Sequence, residues 1–161
     1  MRILILGASG MLGKDITSFF SKQIEYETFA VLRNMNNILP YENIEVINID
    51  ITSEKIFVDI LKRIRPEIIV HSAAVANVDA CEEDKEYALL LHSGIIKTIA
   101  RELPNSKLIY ISTDSVFDGI SGNYTESHIP NPLNNYALSK YQGELNTINL
   151  MKKHKINWVM H

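Results

Sequence analysis

With 161 residues, 46% of them hydrophobic, the chain is long enough for one domain with a sizeable core. A formal charge of −3, with Lys and Arg scattered rather than gathered into a stripe, excludes a phosphate-tracking surface, so no nucleic-acid partner is expected. Cys81 is the single cysteine, which excludes an internal disulfide and is expected to be an inert thiol in a reducing compartment. No apolar run approaches the ~20 residues that span a bilayer, so the expected location is cytoplasmic, without a membrane partner.

The first strand is read at Ile3-Leu4-Ile5-Leu6, branched and apolar throughout and bounded by Gly7. Gly7, Gly10 and Gly13 then open a helix from Met11 to Ser21. Such a turn needs glycine for its backbone angles. Missing side chains let a pyrophosphate approach the N–H groups at the helix N-terminus, where the dipole favours negative charge. Gly7, Ser9, Gly10, Met11, Leu12 and Gly13 are therefore candidate cofactor-binding residues. A second strand follows at Glu27–Arg33, a polar connection with Pro40 at 34–43, and a third strand at Ile44–Ile49 ending in Asp50. Thr52 or Ser53 caps a helix whose Ile56, Ile60, Leu61 and Ile64 recur at helical spacing until Pro66. The fourth strand is Glu67–His71. An acidic loop, Asp79 to Asp84, leads into a helix reaching about Leu103, and the fifth strand is Lys107–Ser112. A long loop from Thr113 to Leu133 precedes a helix from Asn134 or Asn135 to about Lys153, and a sixth strand starts at Ile156.

Strands that alternate with helices and are apolar nearly throughout imply a parallel sheet covered on both faces: an α/β, doubly wound, three-layer fold of Rossmann type. With right-handed crossovers the strand order is 3-2-1-4-5-6, and the Gly7 loop, Ala73, Ala74 and Thr113 should converge on one crevice at the switch point. Ala73 and Ala74 join the cofactor-binding candidates. So does Arg33, twenty residues after Gly13, where an acidic residue would bind the ribose of NAD and an Arg suits the 2′-phosphate of NADPH. NADPH is the expected cofactor, NADH the alternative, and no metal site is expected.

The long loop and the helix after it carry Ser112-Thr-Asp-Ser-Val-Phe-Asp-Gly119 and Pro130-Asn-Pro-Leu-Asn-Asn-Tyr136-Ala-Leu-Ser-Lys140. Tyr136 and Lys140 are four apart and share a helix face. A neighbouring ammonium favours the phenolate, which draws a phenol toward the range of a useful proton donor. Thr113, at the end of a strand, is placed to hydrogen-bond the carbonyl being protonated.

These runs, with Gly7-Ala-Ser-Gly-Met-Leu-Gly13 and His71-Ser-Ala-Ala-Val-Ala-Asn-Val-Asp79, resemble the extended short-chain dehydrogenase/reductases, and within them the dTDP-4-dehydrorhamnose reductases. The resemblance implies Tyr136 as general acid, Lys140 as the residue that lowers its pKa and holds the nicotinamide ribose, and Thr113 steadying the substrate oxygen. It also implies that Asp50 and Ile51 lie near the adenine. The implied reaction is NADPH-dependent reduction of the 4-keto group of a dTDP-4-dehydro-6-deoxy sugar to give dTDP-L-rhamnose. The alternatives are an epimerase or dehydratase of the same superfamily, or a non-catalytic nucleotide-binding module, as the regulatory subunits of methionine adenosyltransferase resemble these reductases.

Four departures stand out. His71-Ser72 replaces the usual Asn before Ala73-Ala74, and His92-Ser93 stands where an Asn is usual. Ser115 replaces a frequent Tyr. The reductases continue for about a hundred further residues that shape the sugar pocket, so residues 1–161 are expected to be the NAD(P)-binding domain without its substrate-binding partner domain. By itself this chain is expected to bind nucleotide weakly, to turn over no sugar and to self-associate, a homodimer being one such form. His71 is read as a satisfied core histidine.

Overall fold

The structure is a computed structural model that describes residues 1–34, 41, 43–153 and 158–160, the side chains of 150–153 and 158–160 excepted. Six parallel strands, β1 (Arg2–Leu6), β2 (Glu27–Leu32), β3 (Ile44–Asn48), β4 (Ile68–His71), β5 (Lys107–Tyr110) and β6 (Trp158–Met160), lie in the order β3-β2-β1-β4-β5-β6. This is the doubly wound order expected from the sequence. The register sets Leu6 beside both Val31 and His71, and His71 beside Tyr110, so the carboxyl ends of β1, β2, β4 and β5 form one edge.

Alternation along β1 divides the core. Leu4 and Leu6 face a large cluster with Phe57 and Leu61 of α2 (Glu54–Ile64) and Ile96 and Ile99 of α5 (Ile95–Glu102). Ile3 and Ile5 face a smaller cluster with Ile16 and Phe20 of α1 (Met11–Phe20). All four β1 side chains are fully buried, which is why the strand reads as a continuous apolar run.

Helix ends are set locally. Arg65 closes α2 in the left-handed region (φ 48°), its N–H bonding to the Leu61 carbonyl at 2.9 Å, and Pro66 follows. Ser53 holds the N-cap position of α2 but makes no side-chain cap. Asp50 instead takes the Thr52 amide at 2.9 Å and its hydroxyl at 2.7 Å.

The acidic stretch read as a loop is helical. It forms α3 (Val78–Glu83), capped by Asn77 on the Ala80 amide, and α4 (Lys85–Leu89), capped by Asp84 on the Tyr87 amide. The single helix expected to reach Leu103 is interrupted by a π-helical turn, Leu90–Gly94, before α5. A 3-10 turn (Asp114–Val116) follows β5, and Asn134 caps α6 (Asn135–Lys153) by accepting from the Ala137 amide at 2.8 Å. The greater part of the connection expected at 34–43, and the start expected for the last strand at 156 and 157, fall outside the described residues.

Candidate functional site

The glycine loop joins β1 to α1 by close backbone contact. Gly7 adopts φ +87°, and a Cβ there would lie 2.5 Å from the Ala73 nitrogen; a Cβ on Gly13 would lie 2.0 Å from the Gly7 carbonyl oxygen. Gly10 differs. Its φ of −71° is open to any residue, and a Cβ there would lie 3.3 Å from the Gly7 carbonyl oxygen. The Gly7 and Ala8 amides both reach the Val31 carbonyl at 3.0 Å, which ties the loop to β2. The first-turn amides of Met11, Leu12 and Gly13 have no acceptor inside the helix.

Beside this loop a cavity of about 250 Å³ is lined by Gly7, Ser9 and Gly10, by Arg33, Asp50 and Ile51, and by Ala73 and Ala74. Eight of the sequence-derived candidates are thus brought together. Met11, Leu12 and Gly13 do not line it: Met11 and Leu12 are exposed, and Gly13 is used up in packing on Gly7. Thr113, expected in the same crevice, and Tyr136 and Lys140, expected to hold the cofactor, also lie outside the cavity. A wall residue that motif reading missed is Tyr87 of α4, whose hydroxyl accepts from Arg33 Nη1 at 2.7 Å and donates to Asp50 Oδ2 at 3.2 Å. Hydrogen bonds from Thr52 and Tyr87 and the nearby Arg33 hold the Asp50 carboxyl below its usual range, against the opposing effect of burial. A side-chain-free cradle followed by an Arg, a carboxylate and an apolar wall has the chemistry to accept a dinucleotide's pyrophosphate and adenosine.

On the other side of β4 stands the Tyr136 helix. Lys140 is 3% exposed; its ammonium donates to the Ile111 carbonyl and lies 4.4 Å from the centre of the Tyr110 ring. Burial pulls its pKa down to about 8, partly opposed by Glu144 one turn later. Thr113 Oγ1 donates to Asp114 at 3.3 Å and accepts from the Ser115 amide at 3.2 Å. Glu82 of α3 accepts from the Asn135 amide at 2.8 Å, fixing the residue before Tyr136 at the positive end of α6.

Two buried histidines flank Tyr136 and β4. His92, in the π turn and fully buried, accepts from the Val75 amide at its Nε2 (3.0 Å), so its Nδ1 carries the proton and donates to Ser139 Oγ (2.7 Å). Ser139 in turn donates to the Tyr136 carbonyl at 2.8 Å, and the His92 ring meets the Tyr136 ring edge-on at 5.8 Å. His71 is a core histidine, as read, but only half satisfied. Its Nε2 donates to the Leu91 carbonyl at 3.0 Å, while Nδ1 has no partner among the described residues. Burial and the Lys140 charge push both histidines down to about 3, so both are neutral. Burial pushes the Cys81 thiol up, in keeping with an inert thiol.

Residues 1–160 match the family model described as the RmlD substrate binding domain. The chain is 35% identical over 143 residues to methionine adenosyltransferase 2 subunit beta of Danio rerio, covering 89% of this chain and 42% of that protein. It is 30% identical over 155 residues to the dTDP-4-dehydrorhamnose reductase of Aggregatibacter actinomycetemcomitans, covering 94% and 48%. Among solved structures it superposes on a hypothetical dTDP-4-dehydrorhamnose reductase from Sulfolobus tokodaii with a TM-score of 0.80 and 37% identity, over 91% of this chain and 52% of that one. The chain therefore spans about half the length of the relatives it matches.

Proposed function

The chain belongs to the RmlD substrate binding domain family, and from that premise we propose that it supplies the dinucleotide-binding and proton-donating portion of a sugar-nucleotide reductase. The reaction is NADPH-dependent reduction of the 4-keto group of dTDP-4-dehydro-6-deoxy-L-mannose to dTDP-L-rhamnose. The observation that carries the reading is the cavity at the switch point, lined by Gly7, Gly10 and Ala73 together with Arg33 and Asp50. Gly7, Ser9 and Gly10 would hold the pyrophosphate, Asp50 and Ile51 the adenosine, Arg33 a 2′-phosphate, and Tyr136 with Lys140 the nicotinamide ribose. When bound, the reduced nicotinamide supplies the hydride.

The chain's own residues do the rest. Tyr136 gives its phenolic proton to the alkoxide oxygen forming at C4, and Thr113 hydrogen-bonds that oxygen. Lys140, charged below its pKa of about 8, favours the tyrosinate left behind. His92 stays neutral and holds Tyr136 through Ser139. The wall around the sugar is assigned to the portion of the relatives that this chain does not span, so residues 1–161 by themselves are read as a cofactor-binding unit, and a homodimer remains part of the same proposal.

A second reading is supported by the 35% identity to methionine adenosyltransferase 2 subunit beta: a nucleotide-binding module without turnover. One chimera separates the two, with residues 1–160 placed ahead of the remaining portion of the Aggregatibacter enzyme. It should oxidise NADPH in the presence of the dTDP-4-keto sugar, and Tyr136→Phe should abolish this while leaving NADPH affinity within about twofold. No turnover, together with tight association with a methionine adenosyltransferase catalytic subunit, would favour the module. Full turnover by the Tyr136→Phe form would remove Tyr136 from the mechanism.

A further inference from the structure

The adenosine end of the cavity holds a cation and a carboxylate that do not touch. Arg33, at the end of β2, and Asp50, after β3, make no ion pair with each other among the described residues, although both line the same wall. The Tyr87 hydroxyl lies between them, accepting from the one and donating to the other. We infer that Tyr87 is a specificity-determining residue: by separating Arg33 from Asp50 it keeps the guanidinium available for a phosphate on the adenosine ribose.

Several features hold the phenol in that place. Asp84 caps the Tyr87 amide at 2.9 Å and so sets the first turn of α4, and the Arg33 guanidinium lies 5.6 Å over the Tyr87 ring. Three donors already meet the carboxylate: Oδ1 takes both Thr52 donors and Oδ2 takes the phenol. Among the described residues Arg33 spends one of five N–H donors, on Tyr87, and its planar fork suits a phosphate. Burial and the Asp50 charge raise the Tyr87 pKa, so the spacer stays a neutral donor. Removing the hydroxyl leaves Oδ2 short of a donor with Arg33 the nearest cation. The guanidinium then closes on the carboxylate, and a ribose phosphate meets an Arg already paired and an anion beside it.

This inference rests on the reading that Arg33 meets the 2′-phosphate, and the test separates the two. Purified residues 1–161 are titrated with NADPH and with NADH, following nicotinamide fluorescence, for the wild type, Tyr87→Phe, Asp50→Asn and the double variant. The wild type should favour NADPH by about tenfold or more. Tyr87→Phe should bring the NADPH-to-NADH affinity ratio close to one, NADPH losing more than NADH. Asp50→Asn should keep the NADPH-to-NADH ratio whatever it does to both affinities, and Tyr87→Phe with Asp50→Asn should regain that ratio, because no carboxylate competes for Arg33. Equal wild-type affinities would sink the Arg33 reading itself. A wild-type preference that survives in Tyr87→Phe, or is not regained in the double variant, would overturn the spacer role alone. Should Tyr87→Phe fail to fold alone, the double variant, in which no carboxylate is left short of a donor, still decides, since it must lose the preference if the phenol acts other than as a spacer.

Discussion

Gly13 shows what a single missing methyl does. Its bare α-carbon lets α1 begin directly against the Gly7 carbonyl, so Gly13→Ala would force a Cβ to within 2.0 Å of backbone that has no rotamer to escape into. We expect a loss of about 1–3 kcal/mol or more in unfolding free energy by denaturant titration, with nucleotide affinity falling in parallel because the Gly7 loop moves with it. Gly10→Ala should cost far less, since its backbone is ordinary and the nearest obstacle is 3.3 Å away. A Gly13→Ala protein as stable as Gly10→Ala would mean that the helix start is not held by this contact. The sequence marked all three glycines alike, because spacing identifies a motif without dividing its labour. Tyr87 escaped notice for a related reason. A lone Tyr on a short helix carries no spacing signal, and only the fold brings it between Arg33 and Asp50.

At the scale of elements, strand order was legible because five runs of branched apolar residues, each closed by a polar or Gly/Pro break, leave few ways to build a sheet. The helices between β4 and β5 were harder to read. Val78–Glu83 and Lys85–Leu89 are too short for apolar periodicity, and their evidence lies in the Asn77 and Asp84 caps, which look like ordinary loop residues. A π turn has no sequence signature at all. Yet these pieces aim the helix that carries Tyr136 and Lys140: Glu82 of α3 holds the first turn of α6, and the π turn presents His92 to Ser139. Gly143 lets α6 close on that surface, since a Cβ there would sit 2.2 Å from the Tyr110 hydroxyl and 2.5 Å from the His92 carbonyl oxygen. Tyr110 is fully buried and donates to the Lys140 carbonyl, so it cannot swing aside freely. Gly143→Ala should therefore shift α6 outward and lower the melting temperature by several degrees, as about 1–3 kcal/mol of overpacking would. Calorimetry gives the melting temperature, and amide exchange in the π turn should rise with it. An unchanged melting temperature would show that α6 does not rely on this approach.

The whole molecule carries a consequence of burying two neutral imidazoles beside its sheet. His71 and His92 each have a folded pKa of about 3 against an ordinary value of 6.5. Between those values the unfolded chain binds protons that the folded chain refuses, so unfolding becomes easier as pH falls through that window. Above 6.5 both states are neutral and the effect is fully absent. Near pH 5 each histidine should have removed about 2 kcal/mol, the free energy of roughly 1.5 pKa units. Lys140 acts with the same sign at the other end: its folded pKa of about 8 lies below the ordinary value of 10.5, so stability should also rise with pH between those values. These limbs come from burial, which composition alone could not reveal, since five histidines in the chain differ only in where the fold puts them. Thermal unfolding followed by circular dichroism at pH 7, 6 and 5 tests the acid limb, where unperturbed carboxylates are still ionised. The melting temperature should fall steadily across that series, and His71→Asn with His92→Gln, though less stable at pH 7, should show a much flatter profile because no buried imidazole remains to be protonated. An equally steep profile in the double variant would assign the acid sensitivity to other groups and undo the claim that His92 holds Tyr136 as a permanently neutral ring.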